Sequence, residues 1–306
     1  MLSSELIARI RRLEITSAKL VEEMFAGKYQ SVFKGRGLEF SDAREYQWGD
    51  DIRAMHWKAM ARFAGKPFIK RFTEERELTV ILAVDISGSQ DFGSQSRSKR
   101  EVVQDVAGAL AYLSMKNKDR AGLLLFSDRA ELFLPPKGGR FHALRILREL
   151  VGFEPQSRQT NIEFALSYLL QMIKKRAIVF LISDFLAPVG ADDATPAFAK
   201  KLAVLAKKHD TIAITVEDPA ERELPAISGI ARFEDAEQPG AVHELDLRRG
   251  DLVSLLNQEN ARREEELERL FKHCGMDRLR LDTRGNFTDA LADLFKKRQR
   301  RKTKGG

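Results

Sequence analysis

The sequence predicts an α/β fold built on a doubly wound, mostly parallel sheet with helices on both faces. From Leu78 onward, short apolar runs rich in β-branched residues alternate with longer amphipathic segments. Strands buried on both faces show such continuous apolar runs, and the helices that alternate with them cover the two faces of a parallel sheet. Residues 1–77 and 221–247 fall outside the alternation, which adds an N-terminal extension and a β-hairpin insertion to the expected fold.

The individual elements follow from the spacing of apolar residues. Strands are predicted at residues 78–84, 122–126, 130–134, 177–182, 211–216 and 279–281, and a hairpin at residues 227–233 and 242–247. Helices are predicted at about residues 98–113, 141–151, 161–174, 195–209, 251–274 and 288–296. Ser98 and Glu101 form a capping box, and Pro196 takes the first position of its helix. Pro135 and Pro136 are expected to break the chain after the strand that precedes them.

The positive charge of the chain is concentrated at its C-terminal end. The formal net charge is +7, and seven lysines and arginines lie within residues 296–306, so residues 1–295 are formally neutral. A run of like charges has no apolar face to bury. We therefore expect an N-terminal part at 1–77, a main domain at 78–298 and a disordered basic tail at 299–306. Such a tail can touch RNA or anionic lipid without specificity, but no specific nucleic-acid partner is expected.

Composition favours a cytoplasmic protein without a membrane span. The apolar runs are too short to cross a bilayer, and the first residues, MLSSELIARIRRLE, lack the apolar core of a secretory signal. The single cysteine, Cys274, cannot form an intramolecular disulfide and suits a reducing compartment.

Short side chains with oxygen atoms collect where the predicted strands end. Asp85, Ser87 and Ser89 follow the first strand, Asp184 follows the strand at 177–182, and Thr160 opens the helix before it. Ligands of open parallel sheets bind at the carboxyl ends of the strands. Hard oxygen ligands suit Mg²⁺, Mn²⁺ or Ca²⁺. With only two carboxylates, a bound ion would retain an open position for the carboxylate of a partner protein.

Each of these residues also has a purely structural interpretation. Thr160 and Glu163 fit a capping box, which would make Thr160 the start of its helix. Ser87 and Ser89 can be turn residues, and Asp184 can be a solvated acid at a strand end.

The five residues together resemble the metal-ion-dependent adhesion site of von Willebrand factor A domains. The sequence DISGS at residues 85–89, followed by Thr160 and then by Ser183 and Asp184, matches the order of that motif. The resemblance implies a von Willebrand factor A-like domain. It also implies that Asp85, Ser87, Ser89, Thr160 and Asp184 coordinate Mg²⁺ directly or through water.

A second resemblance lies upstream, in a stretch rich in charged and aromatic residues. GLEF at 37–40, REY at 44–46, GDDIR at 49–53 and WKAMAR at 57–62 look like the signature of the bacterial family called "domain of unknown function 58". Members of this family couple the segment to a von Willebrand A-like domain and are typically encoded beside MoxR-type AAA+ ATPases. The resemblance implies such an ATPase, a client protein, or both as partners. His56 departs from the family, which commonly has an acidic or amide side chain there.

Two interpretations of this upstream segment remain open from the residues alone. Its arginines and carboxylates, with Glu39, Asp50 and Asp51 among the latter, can form a buried ion-pair network. Alternatively, the segment is a surface that binds a partner. In that case the contact residues are Arg44, Tyr46, Arg53, Trp57 and Arg62.

The sequence contains no phosphate-binding loop, nucleophile elbow or zinc-ligand spacing, so we expect no enzymatic activity. The leading hypothesis is a metal-dependent protein-binding adaptor that works with a MoxR-type ATPase in the assembly or maturation of a complex. The alternative is a Mg²⁺-dependent phosphohydrolase with Asp85 as nucleophile, although Ser87 stands where such enzymes usually have a second aspartate. A third hypothesis is a binder of RNA or membrane that acts through its basic tail.

Overall fold

Most strands of this chain belong to one central sheet. The structure is a computed structural model, and it describes residues 4–22, 32, 39–62, 66–73, 77–94, 96–186, 196–222, 229–238, 240–248 and 250–304. The strands are β1 (Glu39–Glu45), β2 (Phe68–Thr73), β3 (Thr79–Asp85), β4 (Arg120–Phe126), β5 (Ala130–Lys137), β6 (Ile178–Ser183), β7 (Asp210–Glu217), β8 (Ile230–Glu234), β9 (Val242–Asp246) and β10 (Asp277–Asp282).

Along the chain, most helices occur in the connections between strands of the central sheet. They are α1 (Ser4–Leu20), α2 (Trp57–Arg62), α3 (Lys99–Lys116), α4 (Arg140–Gly152), α5 (Ile162–Met172), α6 (Ala199–Lys208), α7 (Pro219–Arg222), α8 (Gly250–His273) and α9 (Phe287–Lys304). Across the described residues, every helix is either too short or too polar to cross a bilayer.

The central sheet has six strands in the order β10-β7-β6-β3-β4-β5. All neighbours are parallel except β4 and β5, which are antiparallel. A short turn joins β4 to β5, whereas the parallel neighbours are joined by connections that contain helices, as parallel pairing requires. The predicted fold class, a mostly parallel sheet with helices on both faces, is confirmed.

The two faces of the sheet carry separate apolar cores. Val80, Leu82 and Val84 of β3 pack against α3, α4 and α9, while Ile81 and Ala83 pack against α5, α6 and α8. Because successive side chains of a strand point to opposite faces, a strand with both faces covered must be apolar throughout. This explains why β3 and β6 are continuous apolar runs, and their parallel pairing places their carboxyl ends at one edge of the sheet.

Two parts of the chain extend this core. Helix α1 packs against α3, where Leu13 approaches Gly108 so closely that an added Cβ at Gly108 would lie 2.9 Å from Leu13 Cδ1. The predicted hairpin is confirmed as the antiparallel pair β8 and β9. Residues 227 and 228 of the predicted hairpin lie outside the described residues.

The boundaries predicted at prolines are wrong. Strand β5 continues through Pro135 and Pro136, because it is an edge strand whose pairing with β4 shifts register near these residues. Helix α6 begins at Ala199 and not at Pro196, and Thr195 lies outside the described residues.

The prediction of a disordered tail at 299–306 is wrong for residues 299–304, which continue helix α9. Charges on the body of the fold explain the difference. Arg298 pairs with Asp210 and with Asp277, the second at 2.7 Å, and Arg301 pairs with Asp277 at 2.6 Å. These ion pairs compensate positive charges that the sequence argument had treated as solvated, and they weaken the hypothesis of a freely binding tail. Residues 305 and 306 lie outside the described residues.

Arg298 should therefore contribute to stability. We expect Arg298→Ala to lower the free energy of unfolding by about 2 kcal/mol, the range typical of hydrogen bonds to charged groups. The matched control is Arg300→Ala, which removes an exposed arginine of the same helix. Urea denaturation measures both variants, and equal stability of the two would contradict the role given to Arg298.

Candidate functional site

The carboxyl ends of β3 and β6 bring the predicted acidic residues to one buried place. Asp85 ends β3, and its Oδ1 accepts a hydrogen bond from the backbone N–H of Ser87 at 2.9 Å. Its Oδ2 accepts a hydrogen bond from the hydroxyl of Ser183 at 2.7 Å. Asp184 directly follows Ser183, the last residue of β6. Because β3 and β6 are neighbours in the sheet, Asp184 and Asp85 lie at the same end of it. The structure therefore joins two segments that lie about a hundred residues apart in the sequence.

The two predicted serines converge as well. A 3-10 turn at Gly88–Asp91 follows Ser87, and the hydroxyl oxygens of Ser87 and Ser89 lie 3.1 Å apart. Both side chains are buried. The neighbouring Gln90 is also buried, and among the described residues its amide nitrogen and oxygen have no hydrogen-bond partner. The turn thus presents a pair of hydroxyls together with polar groups whose hydrogen-bonding capacity is unused.

Negative charge is unfavourable at Asp85. Burial and, to a smaller extent, the charge of Asp184 raise the pKa of its carboxyl to about 7, although the hydrogen bonds from Ser87 and Ser183 oppose the shift. An isolated carboxylate in a buried place is costly unless a positive charge compensates it. A cation beside Asp85 would therefore offset the free-energy cost of burying its negative charge.

Lys99, which the sequence analysis did not select, compensates the negative charge of Asp184. The Nζ of Lys99, at the first turn of α3, lies 2.9 Å from Asp184 Oδ2 and 2.6 Å from Glu221 Oε1, and Lys99 is fully buried. Burial lowers the pKa of the Lys99 amine, but the charges of Asp184 and Glu221 outweigh burial and raise it above its usual value. The sequence contains an indication that Lys99 is buried, because Lys99 shares the helical face of the apolar Val102 and Val103.

Thr160 lies beside the serine turn but makes a different contact from the one predicted. The N-cap of α5 is Asn161, whose side chain accepts from the N–H of Phe164, so the interpretation of Thr160 as the cap is wrong. The backbone N–H of Gly88 donates to the carbonyl of Arg158 at 2.8 Å, which holds the segment before Thr160 against the turn. The Thr160 hydroxyl donates to Glu237 Oε1 at 2.6 Å.

A divalent cation fits the chemistry of this donor set. The described residues contain no group of three or more His, Cys, Asp and Glu side chains that could hold a metal. The predicted set instead combines two carboxylates with three hydroxyls, and carboxylate oxygens that already accept one hydrogen bond retain a second acceptor site. These are hard oxygen ligands of the kind that Mg²⁺ and Ca²⁺ prefer. Since Lys99 already compensates Asp184, few negative charges remain for an ion, which implies weak binding.

The charged side chains described for the upstream segment are exposed or half-buried, so the interpretation as a buried ion-pair network is wrong for them. Arg44 pairs with Asp50 at 2.7 Å in a partly exposed position. Arg53 and Arg62 are exposed, Tyr46 is half-buried, and Trp57 is 63% exposed. Trp48, which the sequence analysis did not select, is 99% exposed. The side chain of Glu39 lies outside the described residues.

His56 has a local structural role. Its Nδ1 accepts a hydrogen bond from the backbone N–H of Ala59 at 3.1 Å, immediately before helix α2 begins at Trp57. This is the function of a helix cap, which short acidic and amide side chains usually perform. At position 56 the imidazole nitrogen performs this function.

Comparison with known proteins gives one family and several relatives. The model of the family described as "Protein of unknown function DUF58" matches residues 42–266. The "Uncharacterized protein Rv1480" of Mycobacterium tuberculosis is 30% identical over 297 residues, which is 95% of this chain and 88% of the relative. The "Magnesium-chelatase 60 kDa subunit" of Cereibacter sphaeroides is 31% identical over 176 residues, which is 55% of this chain but 30% of that protein.

Among solved structures, the "von Willebrand factor type A from Catenulispora acidiphila" matches with 15% identity and a TM-score of 0.36. The match covers 49% of this chain and 35% of that one.

Loss of the Lys99 amine should be far more costly than loss of a surface lysine. Lys99→Met retains an unbranched apolar stem but leaves Asp184 buried beside Asp85 without its cation. We expect the free energy of unfolding to fall by about 3–5 kcal/mol, as when one partner of a buried ion pair is removed. The matched control is Lys201→Met, which breaks an exposed pair with Glu163 and should cost about 0–1 kcal/mol. Urea denaturation of both variants provides the test. Similar losses of unfolding free energy would show that the buried Lys99 pair contributes no more to stability than the exposed one.

Proposed function

We propose that this chain, which belongs to the family described as "Protein of unknown function DUF58", is a non-enzymatic adaptor that binds a partner protein through a divalent cation. The observation that carries the proposal is the convergence of buried oxygen atoms at the ends of β3 and β6. Two serine hydroxyls lie 3.1 Å apart beside Asp85. The ligands we propose for the ion, directly or through water, are Asp85, Ser87, Ser89, Thr160 and Asp184.

The charges of these residues favour binding over catalysis. Hydroxyls are neutral ligands, and Lys99 compensates Asp184. An ion held there, Mg²⁺ or alternatively Mn²⁺ or Ca²⁺, would supply an uncompensated positive charge and an open position for a carboxylate of the partner. Asp85 is a poor candidate for a nucleophile, because both of its oxygens accept hydrogen bonds and it is fully buried.

The partner that we propose is a MoxR-type AAA+ ATPase, a client protein, or both. The resemblance of residues 37–62 to the family signature implies the ATPase. The relative named as a subunit of a magnesium chelatase supports a role inside a multi-protein assembly. The upstream segment offers a second contact, because Trp48 and Trp57 present large exposed aromatic surfaces and Arg53 and Arg62 of the same segment are exposed. Tryptophan and arginine are the side chains that most often dominate protein interfaces.

Association with a partner should depend both on the metal and on the serine turn. We expect the wild-type protein to bind a purified MoxR-type ATPase in Mg²⁺ and to lose most of that binding in EDTA. Ser87→Ala should weaken the complex in Mg²⁺ by at least about tenfold, which corresponds to the loss of about 1.4 kcal/mol. Biolayer interferometry measures the dissociation constant.

The matched control is Ser114→Ala, which removes another fully buried hydroxyl, one that bonds to Leu110 within α3. Binding that EDTA and Ser87→Ala leave unchanged would contradict a metal-dependent site. Turnover of p-nitrophenyl phosphate that requires Mg²⁺ and is lost in Asp85→Asn would instead establish the phosphohydrolase.

A further inference from the structure

The hairpin of β8 and β9 contacts the strand-end site through its turn, while its two strands are largely exposed. No residue of either strand is buried, and Ile230 and Val242 are 61% and 44% exposed. Segments with few buried apolar contacts open at low cost. Among the described residues of the hairpin, those of the turn make the contacts with the segments of the strand-end site.

The turn of the hairpin contacts the segments that carry the predicted ligands. Glu237 accepts the hydroxyl proton of Thr160 at an oxygen–oxygen distance of 2.6 Å. The carbonyl oxygen of Ala236 accepts from Arg158 Nε at 3.0 Å. The same carbonyl lies so close to Gly88 that a side chain at position 88 would clash with it. The turn thus covers the serine turn and directs one carboxylate to a predicted ligand.

The conformation of this turn is fixed by its own hydrogen bonds. Asp235 Oδ1 accepts from the backbone N–H groups of Glu237 and Gln238, at 2.8 and 3.2 Å. The backbone N–H of Asp235 donates to the carbonyl of Ala241 at 2.9 Å. A loop ordered in this way presents its carboxylate at little additional entropic cost, which is the advantage of preorganisation in binding.

We propose that the hairpin turn is an internal ligand of the strand-end site, in which Glu237 takes the place of the acidic side chain of a partner and closes the site until a partner displaces it. This inference rests on the proposed function, since it specifies what competes for the same site. The partner chemistry that follows is an acidic residue on an exposed loop. Because the tether holds Glu237 beside Thr160, its effective concentration is on the order of millimolar, and weak external carboxylates cannot compete.

The test supplies the turn as a separate molecule. A fluorescent peptide with the sequence of residues 233–242, FEDAEQPGAV, is titrated in Mg²⁺ against the wild-type protein and against a variant in which Asn-Gly replaces residues 235–241. Asn-Gly suits a two-residue hairpin turn, and Glu234 and Val242 are already paired opposite each other. We expect the shortened variant to bind the peptide at least about tenfold more tightly than the wild type, because the internal competitor is absent.

Two controls isolate the carboxylate. A peptide with glutamine in place of Glu237 should not bind the shortened variant. In hydrogen exchange, Glu237→Gln should accelerate exchange across β8 and β9, whereas Glu244→Gln should not, because Glu244 pairs only with exposed Arg232 among the contacts described for it. This second measurement uses the full-length hairpin and does not depend on how the shortened variant folds.

Mn²⁺ binding, measured by electron paramagnetic resonance, separates the possible failures. If the shortened variant binds Mn²⁺ but binds neither peptide, or both peptides equally, Glu237 is not an internal ligand and the proposed function is unaffected. If wild type and variant bind the peptide equally, the turn does not compete for the site. If neither protein binds Mn²⁺, the proposed function is wrong and this inference is wrong with it.

Discussion

The buried ion pair between Lys99 and Asp184 is the interaction on which the edge of the sheet depends. It joins the first turn of α3 to the end of β6, and Glu221 of α7 completes it. The carbonyl of Glu221 in turn accepts from the side chain of Asn260 in α8, so helices from both faces of the sheet meet at one buried charge. Taking charges out of water is costly, and only a complete set of partners offsets the cost. The positions of Lys99, Asp184 and Glu221 at this edge of the sheet therefore depend on one another.

The same ion pair supports the proposal for what the site binds. Lys99 compensates Asp184, but Asp85 lies beside them with a pKa raised by burial and by the charge of Asp184. Under the function we propose, a bound cation would supply a further positive charge, and the paired hydroxyls of Ser87 and Ser89 would be neutral ligands for it. A cation bound mainly by neutral oxygens would attract further carboxylates. Glu237, on the hairpin of β8 and β9, already accepts a hydrogen bond from Thr160 and is one such carboxylate within the chain.

The sequence predicted the features that depend on short-range patterns. Continuous apolar runs identified β3 and β6, and the position of Asp85 and Asp184 at their ends followed from parallel pairing. Features that depend on distant ion pairs were missed. Arg298 is helical and partly buried because Asp210 and Asp277 meet it from two strands, which no local pattern reveals. Lys99 lay on an apolar helical face, yet its partners are 85 and 122 residues away. Thr160 matched a capping motif, but the actual cap is its neighbour Asn161.

The position of a bound ion tests the account most directly. Crystals grown with Mn²⁺ and measured at its absorption edge give an anomalous peak at the ion itself. We expect a peak at about 2.0–2.6 Å from the hydroxyl oxygens of Ser87 and Ser89, the range of hard-cation coordination, with Lys99 still paired to Asp184. Asp85→Asn should reduce the occupancy of that peak. A clear Mn²⁺ peak elsewhere on the protein, with none between the two serines, would contradict the account.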